Sequence, residues 1–371
     1  MSTLMHASRQ WSARPDDERF TSLISLNAAV AASRDASTAK VVSSRRLEIR
    51  PSETDGIKGL EVYGPEVCGA DGPCYAPTHW SFGQLATLAG APAGYLRTLP
   101  APIAADAMNY GLRFQRDIED VGVLLRRSPD GGEMAAATGP RYGRVWNADI
   151  TAQLVDRFGD GLTGDWRVPG EFGKAVDVTK ANTTLYASDR DMFVFLADEV
   201  NRVQLPNRRD GQSGSLARGF FVWNSEVGAS TLGVAMFLFD YVCCNRIVWG
   251  AQGFKETKIR HTVSAPDRFI EQVQPVLAEL HESPAAPIEQ VLIAAQARKV
   301  DDVADFLAKR RFGAKTIAKI AAAHESDEGR PMETLWDIVT GVTAHARSLP
   351  HQDERVAMER AGGDILELVD A

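Results

Sequence analysis

SLARGFFVWNSEVGASTLGVAMFLFDYVCCNRIVWGAQGFKETKIRH, the stretch from Ser215 to His261, decides the fold. Gly219 to Trp223 is aromatic and β-branched, Asn224 to Gly228 is polar and ends on a glycine, and Thr231 to Val242 is a second apolar run. That order predicts a β-hairpin over about 219–242 with a loop of several residues. In the second arm Gly233, Ala235, Phe237 and Phe239 alternate with Leu232, Val234, Met236 and Leu238, so both faces are mainly apolar. Such a strand is central and covered on both sides. Gly233 and Ala235 leave room on one face for another backbone or a bulky neighbour. Cys243 to Gly250 and Thr257 to Val263 each read as a further strand.

The chain has 371 residues, 44% apolar and 24% charged, enough for a large core in two or three globular regions. No apolar run approaches the roughly 20 residues of a membrane helix, and the opening segment lacks the apolar core of a signal peptide. The expectation is a cytoplasmic protein with no membrane association. Four cysteines are too few to staple this length, and adjacent Cys243 and Cys244 are badly placed to pair, so reduced thiols are expected. A net charge of -8 argues against a surface wholly committed to nucleic acid. Residues 201–262, however, hold eight cations against four carboxylates, leaving -12 for the remainder. Such a positive island can bind a polyanion locally. The plainer reading is a solvated charged face beside a buried hairpin.

Upstream, Phe20 to Arg34 has helical spacing, Val41 to Arg50 reads as one strand, and 56–77 as a Gly- and Pro-rich loop. Cys68, Cys74 and His79 lack the two close ligand pairs of a structural zinc site. Thr78 to Phe114 reads as three short helices, the first capped by Thr78 or Ser81. Tyr95, Arg97 and Arg113 either face a ligand there or simply pack with the arginines outward. Val121–Arg127 and Met134–Thr138 are strands joined by a turn at Pro129-Asp130-Gly131-Gly132. Arg141 and Arg144 precede a helix from about Asn147 to Phe158, whose free N–H groups favour an anion. The competing reading pairs those arginines with Asp149 or Asp156. Thr183–Ala187 and Met192–Leu196 flank a turn in which Asp189 and Asp191 either hold a divalent cation or satisfy local backbone. Asn201 to Gln212 reads as an exposed basic loop.

Beyond His261 the pattern is helical, with segments over 266–280, 288–299, 301–309, 314–324, 332–347 and 353–369. The pair hinged at Phe312-Gly313 carries Lys309, Arg310, Arg311, Lys315 and Lys319, either a helix-turn-helix-like reader of duplex DNA or a common packing unit. The fold class is therefore α+β: a mainly antiparallel sheet around the central hairpin, an N-terminal helical unit and a C-terminal helical region. The division expected is a tail and strand-loop region at 1–77, an α+β core at 78–265 and helices at 266–371.

Standard catalytic signatures are missing. Gly170 to Lys174 lacks the spacing of a phosphate-binding loop, and the sequence holds no G-x-G-x-x-G, H-E-x-x-H or serine elbow. A metal-dependent nuclease, however, can assemble carboxylates from distant strands.

Several passages resemble a known family. Ser81-Phe82-Gly83-Gln84-Leu85 to Tyr95-Leu96-Arg97-Thr98-Leu99-Pro100, Arg141-Tyr142-Gly143-Arg144, the run Phe221 to Gly250 with its N-S-E-V-G turn and C-N-R-I-V-W-G ending, and Arg260-His261-Thr262 carry it. In order and spacing, over roughly residues 75–350, they are similar to the phage/plasmid-like family known as domain of unknown function 932. The resemblance implies a bacterial or viral cytoplasmic protein of mobile elements with an accessory genetic role, and it supplies no active-site residues. Cys243-Cys244 stands where the family pattern has a single cysteine, so no thiol chemistry is carried over.

The function expected is non-enzymatic binding of nucleic acid, single-stranded DNA favoured, as in strand annealing or recombination. Arg208, Arg209, Arg218, Lys255, Lys258 and Arg260 are the candidate phosphate contacts, with Arg141, Arg144 and His261 beside them. Trp223, Tyr142 or Trp249 would stack on bases. No cofactor or metal is expected, and self-association as a homo-oligomer stays open. The alternatives are a metal-dependent nuclease using Asp189, Asp191 and His261, and an assembly protein that buries the hairpin in an oligomer.

Overall fold

A computed structural model describes residues 14–52, 59–68, 74–114, 120–128, 131–168, 177–209, 212–240, 245–247, 257–282, 286–349 and 352–370. In chain order its strands are β1 (Arg19–Phe20), β2 (Ser37–Ser43), β3 (Glu48–Pro51), β4 (Leu60–Tyr63), β5 (Tyr75–Pro77), β6 (Asp120–Ser128), β7 (Gly131–Thr138), β8 (Trp166–Arg167), β9 (Leu185–Ala187), β10 (Met192–Arg209), β11 (Gln212–Asn224), β12 (Leu232–Asp240), β13 (Asn245–Ile247) and β14 (Thr257–Ile259). They form two sheets. The first, antiparallel, runs β1-β9-β10-β11-β12-β13, with β8 on β10 and β14 on β12. The second runs β2-β6-β7-β5-β4-β3 and is mixed, because β5 lies parallel to β7. The α+β class, the central hairpin, the N-terminal helical unit and the C-terminal helices are all present, as the sequence predicts.

The hairpin is β11 and β12, and three pairs in its register explain why it sits where it does. Gly219 lies opposite Phe237, Phe221 opposite Ala235, and Trp223 opposite Gly233. A Cβ on Gly219 would fall 1.8 Å from Phe237 Cζ, and one on Gly233 would fall 2.1 Å from Trp223 Cζ2. Each ring therefore lies on the bare backbone of the glycine across from it, the bulky neighbour that the small residues leave room for. Slipping the pairing by one residue would send these rings to the opposite face, so the glycines pin the register. Tyr186, Phe193 and Phe195 extend this aromatic face across β9 and β10.

The opposite face carries Phe220, Val222, Leu232, Val234 and Leu238. It shares one core with helices Leu23–Asp35 and Asn147–Phe158 and with Val273, Leu277, Leu292 and Val339 of the C-terminal helices. Residues 266–371 thus add to the core of the first sheet rather than building one apart. Strands on both sides of residue 78 share the second sheet, so a boundary at 77 falls inside it. Helices His79–Leu88, Ala93–Leu96 and Ala101–Phe114 cover that sheet, and Thr78 caps the first by accepting from Ser81 N at 3.1 Å.

Three local readings differ from the structure. Val41 to Arg50 is two strands broken by a 3-10 turn at Ser44–Arg46, and β2 and β3 lie on opposite edges of the sheet. The stretch read as a loop over 56–77 contains β4 and β5. The basic stretch read as a loop from Asn201 is the continuation of β10, which bulges between Asp198 and Val203 and runs on to Arg209. Among the described residues no helix is long and apolar enough to cross a membrane.

Candidate nucleic-acid interface

The turn between β11 and β12 ties the two sheets together. Trp80 Nε1 and Gln84 Nε2 donate to Val227 O at 3.0 and 2.7 Å, and Gln84 Oε1 accepts from Ala137 N of β7 at 2.9 Å. Tyr142 Oη donates to Ser225 O at 2.7 Å, and Arg144 Nε donates to Glu226 O at 2.8 Å. Asn224 Nδ2 donates to Val145 O and Asn147 Oδ1, both at 2.8 Å. Val227 itself packs on Leu124, Ala135 and Ala136 of the second sheet. Passages far apart in sequence, around Gln84, Tyr142 and the N-S-E-V-G turn, therefore converge on one point.

Glu226 fills the helix start that the sequence offers to an external anion. Its Oε1 accepts from Asn147 N at 2.7 Å, and its Oε2 lies 3.7 Å from Arg126 Nη2. Burial pushes this carboxyl above its usual range, against the opposing pull of the Asn147 N–H and of Arg126 and Arg144. The positive end of helix Asn147–Phe158 is thus answered from within the chain.

Arg260-His261-Thr262 joins the same place. Gly143 N donates to His261 O at 3.2 Å, His261 Nδ1 lies 3.0 Å from Gly143 O, and the Tyr142 and His261 rings stack at 4.8 Å. A Cβ on Gly143 would meet Thr262 O at 1.8 Å, so the two segments touch only because this residue is glycine. Because a carbonyl can only accept, Nδ1 carries the hydrogen, and Nε2 is a buried lone pair with no partner among the described residues. Burial is the main cause that lowers the His261 pKa to about 4.

That shift fixes a pH dependence. The unfolded imidazole binds its proton near pH 6.5 and the folded one only near 4, so stability present above pH 6.5 is lost as the pH falls between those values. The loss amounts to about 3 kcal/mol when complete. His324 and His345 are shifted the same way, chiefly by burial, and add to it. Urea unfolding between pH 7.5 and 4.5 should show the decline, and His261→Asn, which keeps a donor near the Nδ1 position without the titration, should make it shallower, leaving the part due to His324 and His345.

Beside the stacked pair lies an open cleft of about 790 Å³ between Gly139–Tyr142 and His261–Ser264, with Asp267 on one wall. Arg141 and Arg260 are exposed at and next to it, and among the described residues neither makes an ion pair. Arg144 lies behind, half-buried, between the Tyr142 and Trp146 rings. Lys258, half-buried on β14 opposite Gly233, belongs to the same end of the sheet.

The other candidates lie elsewhere. Arg218 is buried in the middle of β11, its Nη2 donating to Asp198 Oδ2 at 2.6 Å, and it offers nothing to solvent. Arg208 and Arg209 close β10 at the far end of β11, roughly 40 Å from the turn at about 3.3 Å per residue. Lys255 and Trp249 lie outside the described residues, as do Cys243, Cys244, Pro129, Asp130, Gly170 to Lys174 and residues 1–13 of the tail. Trp223 is buried against Gly233, which leaves Tyr142 as the aromatic in the cleft. Among the described residues, Arg141, Lys258 and Arg260 therefore fall at the turn end of the sheet, while Arg208 and Arg209 stand on the backbone at its far end. The missed participants are Trp80, Gln84 and Glu226, whose bonds to or from a turn 80 to 150 residues away left no local pattern to read.

The nuclease trio does not assemble. Asp191 is buried, paired with Arg14 and bonded by Ser188, while Asp189 is exposed in the turn. Among the described residues no three His, Cys, Asp or Glu side chains form a group able to hold a metal ion. In the C-terminal pair Lys309 is bonded to Asp305, and Arg310 stacks on Phe306. Comparison with protein-family models, with curated proteins and with solved structures finds no match to this chain.

Proposed function

We propose that this is a non-enzymatic nucleic-acid-binding protein of the cytoplasm, an accessory factor of the kind mobile elements carry. Its contact with single-stranded DNA is the cleft between Gly139–Tyr142 and His261–Ser264. The observation that carries the reading is the pairing of two exposed arginines, Arg141 and Arg260, on segments locked together by one backbone and one side-chain hydrogen bond between Gly143 and His261. Guanidinium groups held on fixed backbone meet phosphate oxygens without first ordering a loop. Tyr142 supplies an aromatic wall, the second ingredient of single-strand sites. His261 has a different part: neutral at physiological pH, it holds the two segments together and donates nothing to a phosphate. Far from the cleft, Arg208 and Arg209 give a long strand a second place to land.

Fluorescence anisotropy with a labelled single-stranded oligonucleotide at a series of salt concentrations tests the reading. Log affinity should fall linearly with log salt concentration. Absence of binding at low salt would overturn it. Incubation of plasmid with Mg²⁺ or Mn²⁺ separates binding from hydrolysis: the plasmid should stay intact, and nicking that Asp189→Ala abolishes would replace this reading with the nuclease.

A further inference from the structure

Helix Ala101–Phe114 packs on the second sheet through Ala104, Ala105, Met108 and Leu112 and turns an apolar face outward. Ile103, Tyr110 and Phe114 are 55%, 70% and 67% exposed, and the Tyr110 and Phe114 rings lie 4.9 Å apart. With exposed Ala107 they fall within about 60° of one another around the helix and span roughly 16 Å along it. Aromatic side chains held at such exposure in a row mark a contact surface rather than scattered apolar residues.

Two charges beside this row say what covers it. Asp106 and Arg113 both lie on one flank of the stripe, both exposed, and neither makes a salt bridge or hydrogen bond among the described residues. Arg113 does no more than lend a minor pull to Glu48, whose carboxyl is lowered chiefly by its hydrogen bond from Arg50. An isologous contact needs a surface complementary to itself. Lay a second copy of the helix antiparallel on the first, about a twofold axis near residues 108–110. Ile103 then faces Phe114, Ala107 faces Tyr110, and Asp106 faces Arg113 twice along the same edge. Apolar meets apolar along the seam, Tyr110 finds room over Ala107, and each charge meets its opposite. A nucleic acid would meet one cation and one carboxylate there, with no net attraction.

We propose that helix Ala101–Phe114 is the contact of a symmetric homodimer, with reciprocal Asp106–Arg113 pairs setting its register. One helix face buries less than the roughly 800 Å² per partner of a standard interface, so the dimer is weak, with a dissociation constant on the order of micromolar. Sedimentation velocity on the full chain from about 1 to 200 µM should show a concentration-dependent shift from monomer to dimer. Tyr110→Glu should abolish the shift. Asp106→Arg alone and Arg113→Asp alone should each weaken association at least about tenfold, and the two together should restore it. All three positions are exposed, so circular dichroism of the variants should match the parent. A chain that stays monomeric throughout, or a dimer indifferent to Tyr110→Glu or to the charge swaps, would overturn the proposal.

Discussion

Arg218→Met should destabilise the protein by about 3–5 kcal/mol in urea unfolding, the cost of leaving a buried charge without its partner. Asp198 is fully buried, one carboxylate oxygen accepting from Arg218 and the other from Asn201 N at 2.8 Å. Without the guanidinium that carboxylate must either stay charged in the core or take up a proton, and both oppose folding. The double change Asp198→Asn and Arg218→Met should recover most of the loss, because Asn keeps the acceptor for Asn201 and brings no charge. A cycle of the two single variants and the double measures the coupling directly. A loss under 1 kcal/mol for Arg218→Met would mean that the pair is not shielded from water. The same variant also separates stability from binding. Where it is still folded, its affinity for single-stranded DNA should match that of the parent, since Arg218 has no route to solvent.

Gly233→Val is the second large effect, about 3 kcal/mol, toward the upper end of overpacking costs. The first atom of any side chain would lie within 2.1 Å of Trp223, and that ring is itself buried among Phe221 and its neighbours. The better strand propensity of valine offsets only part of this. Combined with Trp223→Leu, the substitution should cost less than the sum of the two single changes, because the smaller side chain vacates the space. Additive losses would show that the ring does not rest on Gly233.

These two sites mark how far the sequence can be read. The hairpin is legible because its arms are long, apolar and separated by a polar, glycine-ended turn. The helices are legible because their apolar spacing persists over several turns. The second sheet is legible only at its centre, where β6 and β7 read as two strands joined by a turn; β4 and β5 have four and three residues, too short for alternation to register. The start of β10, Met192–Leu196, is legible as a strand, but its length is hidden by a polar second half whose pairing with β11 is visible only in three dimensions. At the candidate site, charge is legible and placement is not. Arg218 and Arg260 look alike in sequence, yet one faces Asp198 across a strand pair and the other faces water. The difference lies in an opposing residue 20 positions upstream. Likewise nothing near Asn147 announces that Glu226 will occupy its helix start.

The most direct measurement is the salt dependence of single-stranded DNA affinity for the parent protein, for Arg141→Ala with Arg260→Ala, and for Asp198→Asn with Arg218→Met. Each lost phosphate contact on a single strand removes about 0.7 from the slope of log affinity against log salt. The cleft double variant should bind more weakly with a slope shallower by about 1.4, and the buried-pair variant should keep the parent slope. Equal slopes for the parent and the cleft variant would contradict the assignment of the cleft as the binding face.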